Sequence, residues 1–316
     1  MTVSQECYKE NESYYYRLYG LNIKSDFYLS ELSHSEHSSL SNIDVNIICG
    51  KCPESIADAK VSNYYYTVSD NEAMFSPEEC GKFYIKDGNT IIIEPIEACD
   101  YQHLKAYLLS RSFAILMFQR NTVALHGSSI IFKDKAYAFC GHSGAGKSSL
   151  SAALTLEGYD LLSDDLSVIS FDEKNKPLIN SGFSHNKLCD DTMKYFNISS
   201  DSLIKVDNFA NKYALPSSKT FVDTTYPLSV LVELSVHYNK DETNDEVTLI
   251  EVFGQDKLQA IFRNIFRSEL MTDVGLNSAY LKQCLNMAKN IRVFKLTRPS
   301  GIFTLNKQIQ LIKEIN

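Results

Sequence analysis

The stretch from Cys140 to Leu154, CGHSGAGKSSLSAAL, constrains this chain more than any other. Gly141, Gly146, Lys147 and Ser148 complete the pattern GxxxxGK(S/T), which wraps the phosphates of a nucleotide when a strand precedes it and a helix follows. Both neighbours are readable. The preceding KAYAFCG alternates apolar and small residues over the length of a strand, and KSSLSAALTLEG places Leu150 and Leu154 four apart before Gly158, a helix stop. Gly141, Gly144 and Gly146 permit backbone conformations and close approaches that a side chain blocks. The backbone of Gly141, His142, Ser143, Gly144, Ala145, Gly146, Lys147, Ser148 and Ser149 is therefore expected to converge on an anion. A helix starting near Lys147 adds its positive end. Lys147 supplies a full charge to the terminal phosphates, and the Ser148 hydroxyl is placed for Mg2+.

The next constraint is LLSDD, in which Asp164 and Asp165 follow two leucines. A carboxylate at the end of a buried strand beside a glycine loop is where nucleotide-bound magnesium finds a second protein anchor. Read as part of a strand, the pair sends its carboxylates to opposite faces and so gives them separate duties. One holds metal or its water; the other meets an acceptor hydroxyl. Phosphoryl transfer needs both, because metal offsets phosphate charge while a positioned carboxylate orients the attacking oxygen.

Around this centre the chain predicts an α/β fold in two parts. Residues 1–120 read as a small, mostly antiparallel, strand-rich domain. YYYRLYGLNI, DVNIICG, NYYYTVSD and KFYIKDGNTIIIEP are rich in Tyr, Ile and Val, and KDGNT is a turn signal. Between the first two runs, SELSHSEHSSLSN with His34 and His37 reads as a solvated loop. Leu104, Leu108, Ile115 and Phe118 then trace one long amphipathic helix from Tyr101 to Arg120. Residues 121–316 hold the loop. VALHGSSIIF and AYAFCG form a hairpin about KDK, YDLLSDDLSVISF reads as a strand pair, and YPLSVLVELSV, VTLIEVF and IRVFKL read as strands. Leu258, Ile261, Phe262, Ile265 and Phe266 mark one helical face, with further helices near Asn277 to Lys289 and at NKQIQLIKEI.

Composition narrows the function classes. With 44% hydrophobic and 22% charged residues, the 316-residue chain is of ordinary globular make-up. Its longest strongly apolar run, FAILMF, is far below the roughly 20 residues of a membrane span, so no membrane partner is expected. The start carries no basic and apolar signal pattern, which points to the cytoplasm. A net charge of -8 opposes a sequence-independent grip on nucleic acid. Eight cysteines are scattered, and Cys49 with Cys52 makes a single CxxC that lacks the second pair of a zinc site.

Three motifs in register, LHGSSI, GHSGAGKSS and GYDLLSDD, resemble the catalytic core of the HPr serine kinase/phosphorylase family. His126 precedes Lys147 by 21 positions and Asp164 follows it by 17, as in that family. The resemblance spans about Val123 to Leu188. It implies a P-loop core built on a mixed sheet with flanking helices, ATP and Mg2+ as cofactors, and a serine hydroxyl as phosphoryl acceptor. Residue by residue, it implies that Lys147 and the loop amides bind ATP and that Ser148 binds magnesium. Asp164 would accept the serine proton, Asp165 would fix the metal through water, and His126 would tune charge beside them. Lys187, in SHNKLCDD, falls where relatives carry a basic residue before a leucine, which makes it a candidate substrate or phosphate contact. Ser149 stands where HPr kinases have glutamate, and their arginine-rich C-terminal glycine segment has no counterpart. The chain thus looks most like the HPr kinase-like enzymes that phosphorylate a serine of lasso-type precursor peptides, with the N-terminal domain recognising substrate. The family's hexameric rings also admit a homo-oligomer.

Arg263 and Arg267, four apart on one side of the expected helix, and Arg298, before Pro299 at a strand end, are further candidates for touching the transferring phosphoryl group, because a planar guanidinium suits phosphate oxygens. Besides transfer to a peptide or to HPr itself, two functions of other classes fit the residues. One is a kinase of free serine or a sugar, and the other is a nucleotide-binding sensor without transfer.

Overall fold

The computed structural model describes residues 12–32, 35, 42–182, 185–198, 204–207, 212–216, 224–237 and 246–315. It divides into two compact units, Met1–Ala124 with Arg267–Tyr280, and Leu125–Phe266 with Leu281–Asn316. The boundary read near residue 120 thus falls at Ala124, and the stretch Arg267–Tyr280 belongs to the first unit.

The first unit carries one eight-stranded sheet. Across it run Tyr14–Leu18, Leu21–Ser25, Val45–Cys49, Thr90–Pro95, Gly81–Lys86, Glu72–Phe75, Thr67–Val68 and Val61–Ser62. Val45–Cys49 is parallel to both neighbours and the remaining pairings are antiparallel. Alternation places Tyr16, Ile23, Val45, Ile47, Ile91 and Ile93 in the core, where Phe75 stacks on Phe83 at 4.9 Å. The KDGNT turn closes through Asp87 and Gly88, both at positive φ, in a three-residue loop between the paired Lys86 and Thr90. NYYYTVSD departs from its strand reading. Asn63 Oδ1 accepts from the amides of Tyr65 and Tyr66 at 2.8 and 3.1 Å, which takes them out of a ladder and leaves only Thr67–Val68 as strand. His34 and His37 lie outside the described residues.

The helix expected over Tyr101 to Arg120 is broken in character. Tyr101–Tyr107 and Phe113–Gln119 are α-helical, and Leu108–Ser112 between them is one π-helical turn. Phe113 to Met117 are all buried, so no polar face exists there to make an amphipathic helix. Cys52 is equally structural: its buried thiol donates to the Lys82 and Ile92 carbonyls, and burial pushes it up to about 11.

The second unit is built on a mixed sheet. In order its strands are Lys135–Gly141, Ala124–Phe132, Leu166–Phe171, Pro177–Asn180, Thr225–His237, Arg292–Pro299 and Thr248–Val252. Thr225–His237 is long enough to pair antiparallel with Pro177–Asn180 and, further along, parallel with Lys135–Gly141 and Arg292–Pro299. The strand entering the glycine loop is therefore flanked by Ala124–Phe132 on one side and Thr225–His237 on the other. Helices Lys147–Leu156 and Leu305–Lys313 cover this sheet, burying Leu150, Leu154, Ile309 and Ile312 against Phe139, Val232, Leu234 and Leu296. At roughly 1.5–3 kcal/mol per large apolar side chain, this layer holds the loop strand in place. The helical face read through Phe266 is shorter. Gly254–Arg263 ends before Asn264, after which Ile265 bridges to Leu125 and Phe266 stacks on His126.

Candidate active site

The glycine loop forms where Lys135–Gly141 ends and Lys147–Leu156 begins. Gly141, Gly144 and Gly146 have φ of 140, 82 and 107°, values that L side chains rarely adopt. At Gly141 a Cβ would also lie 2.4 Å from the Leu234 carbonyl oxygen. Lys147 is mostly buried, and its Nζ donates to the carbonyls of Gly141 at 2.8 Å and His142 at 3.3 Å. This bracing fixes the ammonium over the loop. Burial pushes the neighbouring Cys140 thiol up to about 12 even though Lys147 opposes the shift, so it stays neutral beside the loop.

A cavity of about 470 Å³ opens on this loop. Ser143, Gly144, Gly146, Lys147, Ser148 and Ser149 line it, whereas Gly141, His142 and Ala145 do not. Its size falls in the range of about 300–1,000 Å³ usual for small-molecule sites.

Asp164 and Asp165 occupy the turn between strands Leu161–Ser163 and Leu166–Phe171. Strand alternation therefore does not separate them; a left-handed backbone at Asp165, with φ of 73°, does. Asp164 is 1% exposed. Its Oδ1 takes the Ser128 hydroxyl, accepts from the amide of Asp165 at 3.0 Å, and lies 3.5 Å from the Ser148 hydroxyl. Asp165 instead lines the cavity, with Oδ1 3.8 Å from Nε2 of His126. The carboxylate nearest the Ser148 hydroxyl is Asp164, and the one lining the cavity is Asp165. His126 is held by Asn264, whose carbonyl accepts its amide at 2.8 Å, and by the stacked ring of Phe266 at 4.6 Å.

A serine hydroxyl with carboxylates offers oxygen donors only, the chemistry that Mg2+ takes. Among the described residues no three His, Cys, Asp or Glu gather into a metal site of their own. Mg2+ held largely by phosphate and water needs only one or two protein oxygens, so Ser148 and Asp164 fit that ion.

Of the three arginine candidates, one belongs to this site. Arg298, near the end of Arg292–Pro299, donates Nε to the Ala145 carbonyl and Nη2 to the Gly144 carbonyl, both at 3.2 Å. Arg298 also lines the cavity, so these two bonds tie the loop to a strand two places across the sheet. Arg263 does not line the cavity and makes a two-pronged pair with Glu233 at 3.1 and 2.9 Å, which Asn264 joins at 2.9 Å. Arg267 shares no helix with it. At φ of 60° it lies in the first unit and pairs with Glu269 at 2.7 Å. The side chain of Lys187, on strand His185–Cys189, lies outside the described residues.

Several residues escape the motif reading. Gly127 has ordinary φ, yet a Cβ there would lie 2.4 Å from the Phe139 carbonyl oxygen, so only glycine lets the two strands run this close. Ser128 reaches Asp164, and Ile302, Phe303 and Gln308 line the cavity. Gly127 and Ser128 fall inside LHGSSI, of which only His126 was singled out, whereas Ile302, Phe303 and Gln308 lie in segments that carried no motif.

No protein-family model and no curated protein matches this chain. Among solved structures, the HPr(Ser) kinase/phosphatase from Coxiella burnetii is similar at 13% identity and a TM-score of 0.30, over 60% of this chain and 88% of that one. Among the described residues no helix is long and apolar enough to cross a membrane.

Proposed function

We propose that this chain is an ATP-dependent kinase that moves the γ-phosphoryl group to a serine hydroxyl of a peptide or protein. The observation that carries this reading is a single cavity lined by the glycine loop, Lys147, Ser148, Asp165 and His126. Such a cavity offers donors for a triphosphate and a carboxylate for an alcohol, and phosphoryl transfer asks for little beyond positioning and charge stabilisation.

In this reading the loop amides and Lys147 hold the β- and γ-phosphates. Ser148 and Asp164 hold Mg2+, which when bound offsets the negative charge of the phosphates. Asp165 receives the proton of the serine hydroxyl as its oxygen bonds to the γ-phosphorus and the bond to the β-γ bridging oxygen breaks, leaving ADP. His126 stands beside Asp165 in the same cavity, where it would tune charge. Because Ser149 replaces the glutamate of HPr kinases, the acceptor we favour is a serine-bearing precursor peptide of the lasso type, with the strand-rich first unit recognising it.

The test incubates the protein and its Lys147→Ala variant with ATP, Mg2+ and, in separate reactions, a serine-ended precursor peptide, HPr and free serine. Mass gain of one phosphoryl group on the peptide, lost in the variant, is the expected result. Transfer to HPr alone or to free serine alone would overturn the peptide assignment. Tight ATP binding without transfer to any acceptor would overturn the kinase itself.

A further inference from the structure

The cavity holds more than phosphate chemistry. Ile302 and Phe303 line it and remain 41% and 51% exposed, a large apolar area beside a polar loop. Phe303 is not loose: its ring stacks on Tyr195 with centroids 4.0 Å apart and planes 30° from parallel. Exposed apolar surface in a cavity marks a binding face, and an aromatic ring braced from one side is a platform ready to stack a flat partner.

Gln308 supplies the polar edge. It is 5% exposed, lies on the first turn of helix Leu305–Lys313, and lines the same cavity. Its amide nitrogen donates to the Thr304 hydroxyl at 3.0 Å, and its backbone N–H to the Thr304 carbonyl at 3.1 Å. That bond uses one N–H of the amide group and orients it, which leaves the side-chain carbonyl oxygen, an acceptor, for a ligand in the cavity. Among the described residues no donor reaches that oxygen. Adenine carries a donor amino group at C6, where guanine carries an acceptor oxygen.

We infer that Phe303 and Gln308 form a purine-base subsite that takes adenine and disfavours guanine, Phe303 by stacking and Gln308 by accepting from the 6-amino group. This rests on the triphosphate reading of the glycine loop and adds base selection to it.

Calorimetric titration of the full chain with ATP, GTP and inorganic tripolyphosphate, each with Mg2+, tests both levels separately. Wild type should bind ATP about tenfold or more tighter than GTP, from one hydrogen bond gained and one acceptor clash avoided. Phe303→Ala, at an exposed position, should weaken ATP by about fivefold or more while leaving tripolyphosphate unchanged. Gln308→Met keeps the shape and should bring the ATP-to-GTP ratio close to one. Thermal melts confirm that each variant is folded. Equal ATP and GTP affinity in wild type, or a Phe303→Ala loss shared by tripolyphosphate, would overturn the base subsite alone. Failure of wild type to bind tripolyphosphate and both nucleotides would overturn the loop reading and the subsite together.

Discussion

Nε2 of His126 stands 3.8 Å from Oδ1 of Asp165, inside the cavity that the glycine loop lines. The preceding carboxylate, Asp164, turns instead to the hydroxyls of Ser128 and Ser148. Two adjacent acids thus meet two different sets of partners. Asp165→Asn should lower single-turnover transfer by about 10²–10⁴-fold, the usual contribution of a general base, with ATP affinity within about twofold of wild type. Asp164→Asn should raise the Mg2+ concentration needed for half-maximal ATP binding. If Asp165→Asn transfers normally while Asp164→Asn abolishes transfer at unchanged Mg2+ dependence, the roles are the reverse.

Arg298 holds the loop through the carbonyls of Gly144 and Ala145 and lines the same cavity. Arg298→Ala should weaken ATP by about tenfold, in line with the ~1.5–3 kcal/mol typical of hydrogen bonds from a charged group, lessened by exposure. Arg298→Lys should not restore it, because one ammonium does not reproduce a planar fork aimed at two oxygens. A fall in turnover at unchanged ATP affinity would mean that Arg298 acts on the moving phosphoryl group instead.

Gly127 has no room for a side chain, since a Cβ there meets the Phe139 carbonyl oxygen and the Cys140 sulfur, at 2.4 and 2.7 Å. Gly127→Ala forces the strand Ala124–Phe132 away from the loop strand. Chemical denaturation should show a loss of about 1–3 kcal/mol, typical of overpacking. An unchanged unfolding midpoint would mean that the two strands separate freely.

Burial pushes Cys140 from an ordinary 9.0 up to about 12, Cys284 likewise to about 12, and Cys52 to about 11. Each raised value means that the unfolded chain releases a proton which the folded chain retains. The resulting stability is complete below about pH 9 and declines as pH climbs through the folded values. Urea midpoints measured from pH 8 to 11 should fall above pH 9, and Cys140→Ala should make that fall shallower. An identical slope in the variant would remove Cys140 as a cause.

What the sequence alone determined is the part of the site made from one unbroken stretch. Strand, glycines, Lys147 and Ser148 follow one another along the chain, so local conformational preference suffices to assemble the glycine loop and to place LLSDD at the end of the next strand. What only the tertiary structure decided is everything set by pairing between distant segments or by one local dihedral angle. Arg298 reaches Gly144 because Arg292–Pro299 runs parallel to Thr225–His237, which itself runs parallel to the loop strand. Arg263 is held by Glu233 on that same long strand, and Arg267 leaves for the other unit, although spacing alone had put both on one helix side. The different partners of Asp164 and Asp165 go with a positive φ that strand periodicity does not contain. Motifs encode contiguous backbone geometry, whereas side-chain convergence across a sheet depends on strand register, which many weak contacts fix together.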